Sequence, residues 1–257
     1  MSKYIPKIGL EIHLELNTET KMFCSCPNDP DEIHPNVNIC PICTGHPGTL
    51  PVVNKKAIEY AIKLAKALNC KINKTSYFAR KNYFYPDLPK GYQISQYELP
   101  ISENGYLEFY LDDEKRKVRI RRAHLEEDTG KIIHEKDYSL VDFNRAGIPL
   151  IEIVTEPDIK SSEEAKRFVE ELILLVRYLE ISEANPEKGE IRFEANISLG
   201  IEDQLGVKVE VKNLGSIRSL KDAIEYEIKR QMEILENGGE IIQETRGFDE
   251  DKRITFS

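Results

Sequence analysis

From Lys7 to Leu16, Ile8, Leu10, Ile12, Leu14 and Leu16 alternate with Lys7, Gly9, Glu11, His13 and Glu15. A period of two predicts a strand with one face in a core and Glu11, His13 and Glu15 on the other. The period changes between Lys55 and Asn69, where Ile58, Ala61, Ile62, Ala65 and Leu68 form one stripe, and a helix is predicted after the loop Pro47 to Pro51. A second helix is predicted from about Ser162 to Leu179. Ser161 or Ser162 can cap it, Glu163 and Glu164 suit its positive end, and Phe168, Leu172, Leu175 and Leu179 line one side. A third runs from about Leu220 to Glu236 and stops at Asn237-Gly238-Gly239. Alternation returns between the last two helices. Ile191, Phe193, Ala195, Ile197 and Leu199 interleave with Glu190, Arg192, Glu194, Asn196 and Ser198, and Val207, Val209 and Val211 with Lys208, Glu210 and Lys212. Gly147 to Glu156 places Leu150, Glu152, Val154 and Glu156 on one side. One-sided strands belong to antiparallel sheets backed by a single layer, so the expected fold is α+β with helices on one face.

Composition narrows the class. With 257 residues, 40% hydrophobic and 32% charged, the chain can bury a sizeable core without disulfides. No apolar run approaches the ~18 residues of a membrane helix. Met1 to Gly9 carries two lysines but no apolar signal stretch, so a cytoplasmic protein is expected. There is no repeat, low-complexity tract or linker, which favours one domain with a small insertion. The net charge is −9, from 36 Lys and Arg against 45 Asp and Glu, so a polyanion needs a local patch. The strongest is Lys115 to Arg122, with six basic residues in eight. Its simplest reading is a solvated edge strand whose charges discourage pairing.

Four of the five cysteines carry the most specific spacing. Cys24-x-Cys26, thirteen intervening residues and Cys40-Pro41-Ile42-Cys43 form two close thiol pairs that can close a tetrahedral zinc site. The loop between them, with Pro27, Asn28, Asp29, Pro30 and Pro35, has too little apolar content to fold unaided. An all-cysteine set leaves no open position, so such a zinc is structural. A dithiol at Cys40 and Cys43, or four free thiols, are the alternatives. Cys70, at the end of a helix, reads as a small core residue.

On the polar sheet face, residues two apart point the same way, about 6.6 Å from each other. Glu11 and His13 form a carboxylate–imidazole pair, joined by Glu152, Glu194 and Glu210 if their strands are neighbours. Acids so placed raise one another's pKa or bind a hard cation such as Mg²⁺; a solvent-washed face is the alternative. The loop Arg80 to Gln96 offers Lys81, Lys90 and tyrosines including Tyr83, which could stack on a base and neutralise phosphate, or simply pack the loop. No Walker A, dinucleotide glycine fingerprint or Gly-x-Ser-x-Gly elbow is present.

Several words of the chain, in order, resemble one family across nearly its whole length. Gly9-Leu10-Glu11-Ile12-His13, Cys40 to Cys43 with Gly45 to Pro51, and Lys81-Asn82-Tyr83-Phe84-Tyr85-Pro86-Asp87-Leu88-Pro89-Lys90-Gly91-Tyr92-Gln93 are three of them. His124-Leu125-Glu126-Glu127-Asp128 and Asn144 to Glu152 follow, and Lys208 to Asn213 and Gln243-Glu244-Thr245-Arg246 continue the match. They are similar to the B subunit of the Asp/Glu-tRNA amidotransferase. The acid of Arg192-Phe193-Glu194-Ala195-Asn196 is Asp in many family members, so it is one methylene longer here.

The resemblance implies a ligase. The B subunit of this family uses ATP and Mg²⁺ to phosphorylate the side-chain carboxylate of Glu on tRNA(Gln) or Asp on tRNA(Asn), and ammonia then forms the amide. The A subunit, an amidase that hydrolyses glutamine, supplies the ammonia, and a small C subunit clasps the two. Residues 1–257 would be a cradle like the glutamine synthetase fold, with a zinc-binding insertion at 24–43 and without the family's C-terminal helical and tail domains. The implied Mg²⁺ ligands are Glu11, His13, Glu126 and Glu152, with Glu194 and Glu210 as possible partners and Lys81 as the phosphate cation. A reading of another class is a zinc-stabilised tRNA- or partner-binding module without catalysis of its own.

Overall fold

A computed structural model describes residues 3–29 and 31–257, apart from the Asn213 side chain. Met1 and Ser2 at the amino terminus and Pro30 of the cysteine loop lie outside the described residues. In chain order the elements are β1 (Tyr4–Glu15), α1 (Lys55–Ala67), β2 (Lys71–Ile72), β3 (Ala79–Asn82), β4 (Tyr92–Ser95), β5 (Ser102–Leu111), β6 (Glu114–Glu127), β7 (Lys131–His134), β8 (Ser139–Asp142), β9 (Pro149–Thr155), α2 (Ser162–Tyr178), β10 (Ile191–Ile201), β11 (Val209–Leu214), α3 (Ile217–Glu236), β12 (Glu244–Asp249) and β13 (Ile254–Phe256). Nine strands form one sheet in the order β13-β12-β11-β10-β1-β9-β6-β5-β2, while β3–β4 and β7–β8 are separate hairpins. Only β11 and β12 run parallel; the other strand pairs of the sheet are antiparallel.

The period-two pattern explains the layering. Ile8, Leu10, Ile12 and Leu14 of β1 are fully buried with Ile151 and Ile153 of β9 and Ile191, Phe193, Ala195 and Ile197 of β10. Against them pack Phe168, Leu172 and Val176 of α2, Leu220 and Ile224 of α3, and Ala61 and Leu64 of α1. The helices therefore cover the apolar face. Asn54, Ser161 and Ser216 cap them, each accepting from backbone amides of the first turn. The cap at Ser216 starts α3 at Ile217, three residues before the start expected from the apolar repeat. Asn69, just past α1, and Gly238, just past α3, adopt positive φ and close the C-termini.

The basic run is an edge over only half its length: Lys115 to Val118 pair with β5 alone. It lies in β6, which pairs with β5 along one side and, from Ile120 onward, with β9 on the other. Four of its six charges are met by acids, Lys115 by Glu108, Arg116 by Glu114, Arg119 by Asp158 and Arg121 by Glu156, while Lys117 and Arg122 lie over the rings of Tyr106 and Tyr97. A bulge between Ile120 and Arg122 shifts the register of β6 against β9. Val118 and Ile120 precede it on the helix-covered side, and Ala123 and Leu125 follow it there. This change of phase turns Arg122, His124 and Glu126 to the opposite face beside Val154, Glu152 and Leu150.

Candidate active site and tetracysteine centre

Five neighbouring strands bring the polar positions together. Register pairs Glu11 with Glu194 and His13 with Arg192 across β1–β10, His13 with Glu152 across β1–β9, His124 with Glu152 across β6–β9, and Asn196 with Glu210 across β10–β11. Glu126 joins from the end of β6.

These side chains form two clusters. His13, Glu126 and Glu152 offer ligand atoms within 4.8 Å of one another, and so do Glu11, Glu194 and Glu210. The expected quartet thus divides, with Glu11 grouped with Glu194 and Glu210 and the other three standing together. In the first cluster His13 Nε2 lies 3.2 Å from Glu126 Oε1, and the Ser95 hydroxyl donates to Glu126 Oε2 at 3.1 Å. His124, which sequence periodicity does not single out, places Nε2 3.0 Å from Glu152 Oε2, and its Nδ1 is buried without a hydrogen-bond partner. Only the slip in phase from Val118 and Ile120 to Ala123 and Leu125 could have flagged it.

The acids of both clusters face basic side chains. Burial alone would depress the pKa of His13, but the hydrogen bond and charge of Glu126, with Glu152 and Glu194 behind, hold it above its ordinary value. Burial alone would raise Glu152; the hydrogen bond and charge of His124, with the charges of His13 and Arg122, pull it down to about 2. In the second cluster, burial raises Glu194 although Lys212 and His13 act against it. Lys212 sits 3.3 Å from Glu194 and 3.8 Å from Glu210, and these acids hold its ammonium above the ordinary range against burial. Asn196 donates to Glu11 and Thr245 to Glu210, both at 2.8 Å.

Two clefts flank the first cluster. One of about 390 Å³ includes His13, Tyr83, Glu126, Asp128, Arg192 and Glu194 in its wall. Another of about 530 Å³ includes Glu11, Arg80, Tyr97, Arg122, His124 and Glu152. Lys81, on β3, lines both. Tyr83 lies in the smaller cleft, its hydroxyl pushed up to about 12 by burial and by Asp87, Glu126, Asp128 and Glu127. Under that cleft Asp128 accepts from Arg145 at 2.8 Å and from Arg192 at 3.0 and 3.1 Å. Burial opposes ionisation of Asp128, but the two guanidiniums hold it well below the usual carboxylate range. Arg145 also grips Glu15, whose carboxyl burial pushes up to about 7 despite that contact.

The four thiols converge as well. All four Sγ atoms lie within 4.8 Å of one another, with Cys26 and Cys40 at 4.0 and 3.9 Å from Cys43. Tetrahedral zinc with Zn–S bonds of about 2.3 Å needs sulfurs roughly 3.8 Å apart, so the set can close on a metal. The Cys40 amide donates to Cys43 Sγ at 3.2 Å, and the Thr44, Gly45 and His46 amides turn back onto Cys40, Ile42 and Pro41. Gly45 has φ +72, and a Cβ there would meet Lys90, so the knuckle requires glycine. Ile33 and Val37 of the connecting loop are exposed, and the loop is pinned instead by Asn144 accepting from the Val37 and Asn38 amides. Cys70 stands apart, half-buried against the core, with burial raising its thiol to about 11.

Among the described residues no helix is long and apolar enough to cross a membrane. The GatB/GatE catalytic domain family matches residues 6–257. The chain is 54% identical over 257 residues to the B subunit of the aspartyl/glutamyl-tRNA(Asn/Gln) amidotransferase of Persephonella marina, covering 99% of this chain and 54% of that protein. It is 56% identical over 264 residues to the protein of the same name from Thermotoga sp. strain RQ2, covering 99% and 55%. The Carboxydothermus hydrogenoformans protein of that name is 51% identical over 264 residues, covering 100% and 55%. The chain thus spans about half the length of the curated relatives it matches.

Proposed function

The chain belongs to the family of GatB/GatE catalytic domains, and from that premise we propose that it activates the side-chain carboxylate of Glu or Asp on misacylated tRNA(Gln) or tRNA(Asn) with ATP. The observation that carries this reading is the pair of three-ligand clusters on one sheet face, flanked by clefts that share Lys81. The difficulty of the reaction is electrostatic, since the substrate carboxylate and the triphosphate are both anions. Divalent cations such as Mg²⁺, held by His13, Glu126 and Glu152 and by Glu11, Glu194 and Glu210, would neutralise phosphate oxygens and align phosphoryl transfer. Cation binding there requires His13 Nε2 to give up its proton, and His124 keeps Glu152 ionised and oriented for the role. Lys81 meets the phosphates from the ribbon above, and Tyr83 offers its ring to the base.

The carboxylate oxygen then attacks the γ-phosphorus and ADP leaves, which makes an acyl phosphate. Ammonia attacks the acyl carbon, phosphate departs, and the amide remains after loss of a proton. No protein nucleophile is needed. Ammonia comes from the glutamine-hydrolysing A subunit, held through the small C subunit, in a cytoplasmic assembly. In this reading residues 1–257 form the catalytic cradle, related to the glutamine synthetase fold. The thiolates of Cys24, Cys26, Cys40 and Cys43 hold a structural zinc in an insertion at 24–43.

Calorimetric titration of the chain with ATP, with and without Mg²⁺, tests the reading. Metal-dependent ATP affinity that is lost in Glu152→Ala is expected. ATP affinity indifferent to metal and to that substitution would leave only a zinc-stabilised binding module.

A further inference from the structure

The Lys21 side chain is fully buried, and its ammonium hydrogen-bonds, among the described residues, to Cys43 and Phe143 and to no member of the proposed catalytic face. Its Nζ donates to Cys43 Sγ at 3.8 Å and to the Phe143 carbonyl at 3.2 Å. Among the described residues no carboxylate lies within ion-pair distance of it. The nearby Glu127 is engaged elsewhere, by Lys90 at 2.6 Å and by the Ile94 amide at 2.9 Å. An ammonium removed from water is expensive unless an anion faces it, and the anion offered here is the sulfur of the tetracysteine centre. Four thiolates around one zinc ion carry a net charge of −2, so one buried lysine halves it.

The second contact leads away from the sulfurs. Phe143 begins the turn that holds Arg145; the Ala146 amide donates back to the Phe143 carbonyl at 3.0 Å. Beside it the Met22 amide donates to the Gly147 carbonyl at 2.8 Å, and the Gly147 amide to the Asp128 carbonyl at 2.9 Å. The Cβ that a side chain at Gly147 would add lies 3.5 Å from Cys43 Cβ and 3.6 Å from Lys21 Cδ, so knot and turn are in contact. One ammonium therefore touches both the Cys43 sulfur and the turn that carries the guanidinium under the smaller cleft.

We propose that Lys21 is a positioning residue that offsets the charge of a zinc-loaded tetracysteine centre and, through the Phe143 carbonyl, ties the occupancy of that centre to the order of the 143–147 turn beside the cleft. This rests on the zinc reading above and adds a role for a residue that no metal or substrate touches.

The experiment uses the zinc-loaded chain, with Lys21→Met and Lys21→Arg beside it. Zinc affinity is measured by competition with a chromophoric chelator, thiol alkylation by N-ethylmaleimide is mapped to each cysteine, and amide exchange is followed over 143–147. Lys21→Met should weaken zinc ten- to a hundredfold and raise alkylation of Cys43 relative to Cys24, because a thiolate stripped of its donor is more nucleophilic. Lys21→Arg, which keeps the charge, should recover most of the affinity. Zinc removal should speed exchange of 143–147 in the parent chain and have little effect on it in Lys21→Met. Packing alone predicts no selective change at Cys43. Zinc affinity of Lys21→Met within about threefold of the parent, an unchanged alkylation profile, or a loss in Lys21→Arg as large as in Lys21→Met would overturn the proposal. If the parent chain holds no zinc, the zinc reading itself fails, and that is seen before any variant is made.

Discussion

The thiol knot and the acidic sheet face both gather metal-binding groups, but they do so by opposite means. The knot joins four soft sulfurs across a loop whose Ile33 and Val37 are exposed, so little besides its ligands and a few hydrogen bonds shapes it. The acidic face places hard oxygens and one imidazole on strands whose reverse sides are the fully buried Ile8, Leu10, Ile12 and Leu14. In the first, binding of a metal and local folding would be one equilibrium. In the second, the scaffold stands without the metal, and the cost of crowding acids is met by His13, His124 and Lys212. A closed shell stabilises; a supported, incomplete shell is free to accept phosphate oxygens.

The largest expected effect separates the two. Glu11→Ala or Glu152→Ala, in the enzyme reconstituted with its partner subunits, should lower ATP-dependent transamidation on the order of a hundredfold or more. Glutaminase turnover should largely survive; the melting temperature should barely move in Glu11→Ala and fall further in Glu152→Ala, which leaves the buried His124 without its carboxylate. If both variants retain near-normal transamidation and Mg²⁺ dependence, the face is ordinary solvated sheet. Cys43→Ala should show the reverse pattern: zinc lost, fast amide exchange over residues 24–43, and the nine-stranded sheet still protected. A global loss of protection on zinc removal would mean that the sheet, too, depends on the metal.

A smaller effect probes the ground between the two regions. Arg145→Met leaves the buried Asp128 with Arg192 alone and takes from Glu15 its arginine, and such losses from buried ion pairs cost about 3 kcal/mol. Urea unfolding reads this directly, and a loss below about 1 kcal/mol would show that Arg192 suffices. The smallest lies in the β6 ion pairs. The hydrogen bond from Arg121 lowers Glu156, and Arg119 lowers Asp158 against the effect of burial. Carboxylates with lowered pKa contribute stability above their ordinary pKa and lose it as pH falls through the lowered value. Arg119 and Arg121 are mostly exposed, so each pair is worth less than ~1 kcal/mol. The double variant Arg119→Ala, Arg121→Ala should melt slightly lower than the parent at pH 6, with the gap closing toward pH 3. A gap that widens in acid would contradict this sign.

The alternation of β1 and β10, the three helical stripes and the spacing of the cysteines are local signals, and the sequence alone determined them. Side-chain period and thiol spacing depend only on near neighbours along the chain. The α+β class and the identity of most residues on the polar face followed from the same periodicity and from the family resemblance. Which of those residues share a cluster did not. Glu11 meets Glu194 and Glu210, and His13 meets Glu126 and Glu152, because β1 lies between β10 and β9 in one particular register. A slip of one residue would turn either set into the helical layer. His124 entered the site through a bulge, Lys212 through the pairing of β10 with β11, and Asp128 through two arginines distant in the chain. Those contacts are long-range. Apart from the change of phase before His124, nothing in the local pattern encodes them, and only the assembled sheet with its packed core selects one arrangement among the many that the same alternation allows.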